Sequence, residues 1–237
     1  MNTTILIVVC VVAFLLMLCF FLAIANFAIE KFYDSYKIME GIESDTSYSP
    51  KDFIDHLNSK YFEGKIKVLT ISNIAGDAYS NKTLYLSGAT QASKSLASFS
   101  IIAHEMGHAL QDKQGKKLQK LSFLRRFGKI LGFFLMPLFV VGIILMLIDQ
   151  NLFYYGVACL AGCVFIFILA LFIKLKMISI EKEASNFALK FLQEILPEKQ
   201  IGDCKKFLND ARLSYWADFF RTLLAWTFMT KKNKLFN

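Results

Sequence analysis

Only three histidines stand in the 237 residues of this chain, so any histidine-based chemistry falls to His56, His104 and His108. The five cysteines form neither a disulfide framework nor a Cys-x-x-Cys metal site, because Cys10, Cys19, Cys159 and Cys163 lie inside apolar runs and Cys204 stands alone. Proline occurs three times. With 55% hydrophobic residues, 24 phenylalanines and a mean hydropathy of +0.45, the chain is too apolar for an ordinary soluble domain. The net charge of +8 invites a nucleic-acid reading, but no aromatic and basic binding motif accompanies it, which excludes nucleic acid as the expected partner. The positive residues cluster beside apolar runs, as they do in integral membrane proteins.

Charge is missing altogether from Ile5 to Ile29, a run interrupted only by Asn26 and long enough to cross a bilayer with some tilt. A cleaved leader with Ala23-Ile24-Ala25 at its cleavage site is the competing reading. Against it stand the lack of a basic residue before the run and a length about twice that of a leader's apolar region. Two further runs, Ile130 to Ile148 and Leu152 to Ile173, are separated by Asp149-Gln150-Asn151, where neither Lys nor Arg occurs. Lys113, Lys116, Lys117, Lys120, Arg125, Arg126 and Lys129 precede this hairpin, and Lys174, Lys176 and Lys182 follow it. By the positive-inside rule both bases of the hairpin face the cytoplasm, and Lys31 and Lys37 after the first run put the N-terminus outside. The expected organisation is an N-terminal transmembrane helix in residues 1–29, a cytoplasmic portion in 30–129, a transmembrane hairpin in 130–173 and cytoplasmic helices in 174–237. A last amphipathic stretch from Lys205 to Thr230, with Phe219, Phe220, Leu223, Leu224, Trp226 and Phe228 broken by Asp218 and Arg221, reads as an interfacial helix ahead of a fourth crossing. Lys231, Lys232 and Lys234 then hold the tail in the cytoplasm.

In the polar portion, Ser49 as N-cap and Pro50 at the first helical position open a helix through Phe53, Ile54, Leu57 and Phe62 that Gly64 ends. His56 sits on it with Asp55 and Asn58 as neighbours, on a face that reads as solvated, against a metal role. Lys65 to Ile71 and Lys82 to Ser87 read as strands joined through a turn around Asn73 to Asp77, a small hairpin. Its edge could hold an extended peptide by main-chain hydrogen bonds or could be purely structural.

The chain then reads His104-Glu105-Met106-Gly107-His108. With so few histidines, a chance His-Glu-x-x-His in a chain of this length is on the order of one in a thousand. On a helix, residues four apart share a face, so both imidazoles can reach one ion, and Glu105 flanks the metal as a general base for its water. The surroundings lack the apolar run of about 20 residues that an intramembrane protease would need. Alternating serines upstream and Lys113 with Gly115 downstream mark a soluble helix of about five turns. Gly107 offers a place for another backbone to approach. Asp112 is a candidate to orient a ligand, against an exposed last-turn carboxylate.

A catalytic zinc takes three protein ligands and a water, and neither His56 nor Cys204 has a recognisable spacing for the third. Glu181 and Glu183 both lie on a later helical stretch, Met177 to Leu192, that the hairpin returns to the same membrane side. They are about 200 degrees apart around a helix, so only one can face the ion, and periodicity does not choose. A structural zinc site in a non-enzymatic membrane protein is the rival reading. It would be closed by a fourth ligand such as Glu183 or Asp112 and would have no need of Glu105.

Over most of its length the chain resembles the YugP-like membrane zinc metallopeptidases and, more distantly, the HtpX and Ste24-type membrane proteases. The resemblance rests on the apolar N-terminus, Gly76-Asp77-Ala78-Tyr79 to Leu84-Tyr85-Leu86-Ser87, Ala103-His104-Glu105-Met106-Gly107-His108-Ala109, the two later runs, Ile180-Glu181-Lys182-Glu183-Ala184-Ser185, and Ala211-Arg212-Leu213-Ser214-Tyr215. It implies zinc held by His104, His108 and Glu181, with Glu105 catalytic and Glu183 at a neighbouring acidic position. Tyr79 and Tyr215 become candidates for stabilising an oxyanion, against simple packing roles. Ala78 stands where relatives tend to have a histidine, and Ser179 where many have a proline. The implied fold is a mainly α membrane protein, with transmembrane helices and a zincin-like α+β cytoplasmic catalytic portion. The implied activity is hydrolysis of peptides or membrane-protein segments at a bacterial-type plasma membrane.

Overall fold

A computed structural model of the protein describes residues 3–72, 77–115 and 118–223. Most of the turn at Asn73, together with Lys116, Lys117 and the tail with Leu224, Trp226, Phe228, Lys231, Lys232 and Lys234, lies outside the described residues, and with it the choice between an interfacial helix and a fourth crossing. The elements in order are α1 (Thr3–Glu40), α2 (Pro50–Phe62), β1 (Lys67–Ile71), β2 (Ala78–Ser80), β3 (Thr83–Ser87), α3 (Gly88–Ala92), α4 (Leu96–Lys113), α5 (Leu118–Ile148), a 3-10 turn (Gln150–Leu152), α6 (Phe153–Leu192) and α7 (Glu198–Leu223). They fall into two compact units, one from residues 1–29, 120–177 and 214–232, the other from 30–119, 178–213 and 233–237.

In the first unit, α1, α5 and α6 are each long and apolar enough to cross a membrane. Their outward faces carry Leu16, Phe20, Phe134, Phe165 and Ile168, all more than half exposed, a distribution that suits hydrocarbon as the surrounding solvent. Inward, Ala25, Ala28, Ala170 and Ala217 pack with Leu135, Phe219 and Phe220, and Phe21 stacks on Phe220 with ring centroids 4.4 Å apart. A methyl group on Gly156 would lie 2.6 Å from the Gly142 carbonyl oxygen, so the hairpin closes through small residues.

The second unit holds a three-stranded sheet and the ends of the long helices. Ser49 and Asp52 form a reciprocal capping box at the start of α2, Ser49 Oγ accepting the Asp52 N–H at 3.1 Å and Asp52 Oδ2 accepting the Ser49 N–H at 3.2 Å. The helix stops at Glu63 in the left-handed conformation, followed by Gly64. Phe53, Leu57, Leu84, Leu86, Leu96, Phe99, Ile102, Met106 and Phe191 make the core, and Phe32, Tyr36 and Met39 of α1 pack onto it.

The sheet corrects the expected hairpin. The strands at 67–71 and 83–87 do pair, but in parallel, Lys67 opposite Thr83 and Ile71 opposite Ser87. The hairpin is made by β2 and β3 instead, closed by Asn81 and Lys82, both at positive φ (49° and 59°), so that the order is β1-β3-β2. This primed turn matches strand twist, but it lacks the glycine that usually announces it, and β2 is too short for alternation to register. The helices also differ from expectation. The third apolar run and the Met177 stretch are one helix, because neither proline nor glycine stands between Ile173 and Leu192. The last helix begins at Glu198, directly after Pro197, rather than at Lys205.

Candidate metal centre

α4 starts where Ser95 Oγ accepts the Ser98 N–H at 3.2 Å and runs 18 residues with Leu96, Phe99, Ile102, Ala103 and Met106 buried. That anchored face leaves His104 and His108 together on another, ring centroids 4.8 Å apart. Opposite them α6 presents Glu181, 3% exposed. Glu181 Oε2 lies 3.3 Å from His104 Nε2 and 3.2 Å from His108 Nε2. Two donor atoms held about 2.0–2.1 Å from a zinc ion at tetrahedral angles are about 3.3–3.4 Å apart. The observed separations match two edges of such a tetrahedron, and the three candidate ligand atoms all lie within 4.8 Å of one another.

The other ring nitrogens show which tautomer each histidine holds. Gln111, fully buried, directs its amide Nε2 at the Ile180 carbonyl and at Glu183 Oε2, each at 2.9 Å. Both are acceptors, so the Gln111 oxygen faces His108 Nδ1 at 2.9 Å, and Nδ1 must carry the proton. Ser185 gives its hydroxyl proton to the Glu181 carbonyl at 2.9 Å, leaving a lone pair for the N–H of His104 Nδ1 at 3.3 Å. With Nδ1 the donor on both rings, Nε2 is the atom through which each histidine would ligate a metal that displaces its proton, and two nitrogens plus a carboxylate are a zinc donor set.

The two helices meet because Gly107 has no side chain. A Cβ there would lie 2.4 Å from the Ala184 carbonyl oxygen and 3.2 Å from its Cα, so the close approach expected of this glycine is to α6. Glu105 is held from the other side by the backbone N–H of Tyr79 on β2, and its burial pushes the carboxyl pKa up against the pull of His108 and His104. Burial opposes a charge on His108, but Glu181 and Glu105 outweigh it and raise the ring to about 9. Two carboxylates around two imidazoles make a site that favours a cation.

The remaining candidates have partners of their own. Asp112 orients no ligand; its Oδ2 accepts the Tyr79 hydroxyl at 2.9 Å, and Gln111, one residue earlier, holds His108 instead. The Tyr79 hydroxyl also accepts the Lys82 N–H at 3.2 Å, which ties the hairpin tip to α4 and turns the group away from an oxyanion role. Tyr215 lies with Lys174 Nζ 5.6 Å from its ring centre. His56 Nε2 faces Glu194 Oε2 at 3.1 Å beside Lys60. Glu183 supports Gln111. Gln111 and Ser185 were passed over in the sequence although the signal was present: Gln111 is three residues after His108, and Ser185 four after Glu181, each on the face of its neighbour.

A membrane-associated helical protein with a paired-histidine and glutamate cluster that fits zinc is thus the class the structure defines. The chain belongs to the family described as "Putative neutral zinc metallopeptidase", whose sequence model matches residues 9–230, and the expected resemblance to zinc metallopeptidases is borne out. No curated protein and no solved structure matches the chain.

Proposed function

We propose that the protein is a membrane-anchored zinc metalloendopeptidase in which His104, His108 and Glu181 are the metal ligands and Glu105 is the general base. The observation that carries this reading is the pair of 3.3 and 3.2 Å separations, with both Nε2 atoms turned to Glu181 and Glu105 beside the first histidine. When bound, zinc supplies Lewis acidity, polarising the scissile carbonyl and acidifying a water. Glu105 takes the proton from the attacking water, a step that the raised carboxyl pKa favours, and passes it to the leaving amine nitrogen. In the β2–β3 register the Tyr79 main chain faces away from β3, so with its N–H on Glu105 its carbonyl remains on the outer edge of the hairpin. This supports β2 as the edge along which an extended peptide is held. The distribution of lysines and arginines supports a site on the cytoplasmic side, acting on peptides or membrane-protein segments near the bilayer.

A closed structural site would require a fourth protein ligand, yet Glu183 and Asp112 are directed to Gln111 and Tyr79, and the cluster has three members among the described residues. The test is Glu105→Gln in the full-length protein in detergent. It should bind one zinc and lose proteolysis by at least about 100-fold, the scale of a missing general base. Full activity with zinc bound would refute the assignment.

A further inference from the structure

Of the two imidazoles, His108 is the more tightly governed. Its Nδ1 faces an amide that could in principle be turned either way, and the two orientations have opposite consequences. With oxygen toward the ring, Nδ1 carries the proton and Nε2 can ligate. With nitrogen toward the ring, Nδ1 must accept, the proton moves to Nε2, and the ligand atom is lost. What decides is on the far side of the amide, where the Ile180 carbonyl and the Glu183 carboxylate both accept from Gln111 Nε2 at 2.9 Å. Reversal would set the amide oxygen against two acceptors and forfeit both of these hydrogen bonds in a place where Gln111 is 0% exposed and water cannot replace them.

We propose that Gln111, oriented by Glu183 and the Ile180 carbonyl, is the positioning residue that locks His108 in its metal-binding tautomer and thereby sets the zinc affinity of the site. This rests on the proposed ligand set and goes beyond it by assigning roles to residues that touch neither zinc nor substrate. The same turn of α6 accordingly does two jobs. Glu181 faces the cluster directly, and Glu183, on the other side of the helix, acts on it through Gln111.

The experiment is a chelator competition measuring zinc affinity of the purified full-length protein in detergent, with thermal melting of the zinc-free form as a separate readout. Gln111→Met fills the same volume without hydrogen bonds. It should weaken zinc about 10- to 100-fold, the range for lost ligand-orienting partners, and the loss should exceed any change expected from its melting temperature. Glu183→Gln keeps an acceptor oxygen for Gln111 Nε2 and should stay within about threefold of the native affinity, since orientation and not charge is the lever. Gln111→Met at native affinity would overturn the inference, as would Glu183→Gln falling as far as Gln111→Met, which would make charge the operative quantity. A native protein that takes up no zinc would instead overturn the ligand assignment beneath it. Nitrogen-15 spectra of the zinc-loaded native protein, with only three histidines to assign, give a check that needs no variant. His108 should show a protonated Nδ1 and a metal-bound Nε2, and the reverse would refute the mechanism.

Discussion

Replacing Gly107 with alanine adds one methyl group at the tightest point of the site. The new Cβ would sit 2.4 Å from the Ala184 carbonyl oxygen, where an ordinary contact needs 3.4 Å or more, and that oxygen belongs to helical backbone that cannot rotate aside. α6 must withdraw by several tenths of an ångström to about 1 Å, carrying Glu181, less than one turn away. Zinc ligand distances tolerate only about 0.2 Å, so the withdrawal exceeds the tolerance several-fold. Stability responds far less. Overpacking costs about 1–3 kcal/mol, and alanine recovers about 1 kcal/mol of helix propensity, leaving a net loss of roughly 0–2 kcal/mol. The variant should therefore fold and fail to hold metal. Elemental analysis of purified Gly107→Ala, combined with chelator competition and zinc-free melting, reads both quantities. Gly202 in α7 provides the control, because a methyl group there meets nothing within 4 Å, and Gly202→Ala should bind zinc normally and melt slightly higher. Native zinc affinity in Gly107→Ala would show that the helix spacing does not define the site.

Glu181→Ala should lose most bound zinc and all activity, whereas Glu183→Ala should retain the metal on purification and lose at most part of the rate, because the Ile180 carbonyl still orients Gln111; elemental analysis of the two proteins, with the opposite pattern, would reverse the assignment. Tyr79→Phe removes the hydroxyl that joins β2 to Asp112, so KM for a cleaved peptide should rise several-fold with zinc content unchanged, and an unaltered KM would count against β2 as the substrate edge. Ser49→Ala removes the cap of α2 and should lower stability by about 1 kcal/mol without changing zinc affinity, as followed by thermal melting.

The parts of this molecule legible in its sequence are those governed by local periodicity. The apolar runs gave α5 and the membrane-compatible parts of α1 and α6, Ser49 and Pro50 gave the start of α2, and the four-residue histidine spacing gave a shared helix face. Non-local pairing was harder. Two alternating runs close in sequence suggest an antiparallel pair, and only the three-residue β2, which is too short to register, reveals that β1 and β3 run parallel. The choice between Glu181 and Glu183 was undetermined by helical phase alone and came from the family pattern. Gln111 and Ser185 have near partners at helical spacing, but amides and hydroxyls acquire meaning only from what else faces them, and Ile180 and His104 lie 69 and 81 residues away from them in the chain.

The separation of His108 from Glu181, bridged by all of α5 and most of α6, bears on how the protein comes into being. During synthesis the two histidines are complete some 70 residues before the third ligand exists, a gap that holds both runs of the hairpin. Over that interval the nascent chain has the proposed general base and two of the three proposed ligands, and loop closure alone would oppose any early capture of metal. On the proposed assignment, zinc capture and the ability to cut peptide bonds therefore arrive together, after the hairpin has been made. A ribosome stalled within α5 would then display an inert chain, and the proposed activity would switch on only when Glu181 and Ser185 have emerged.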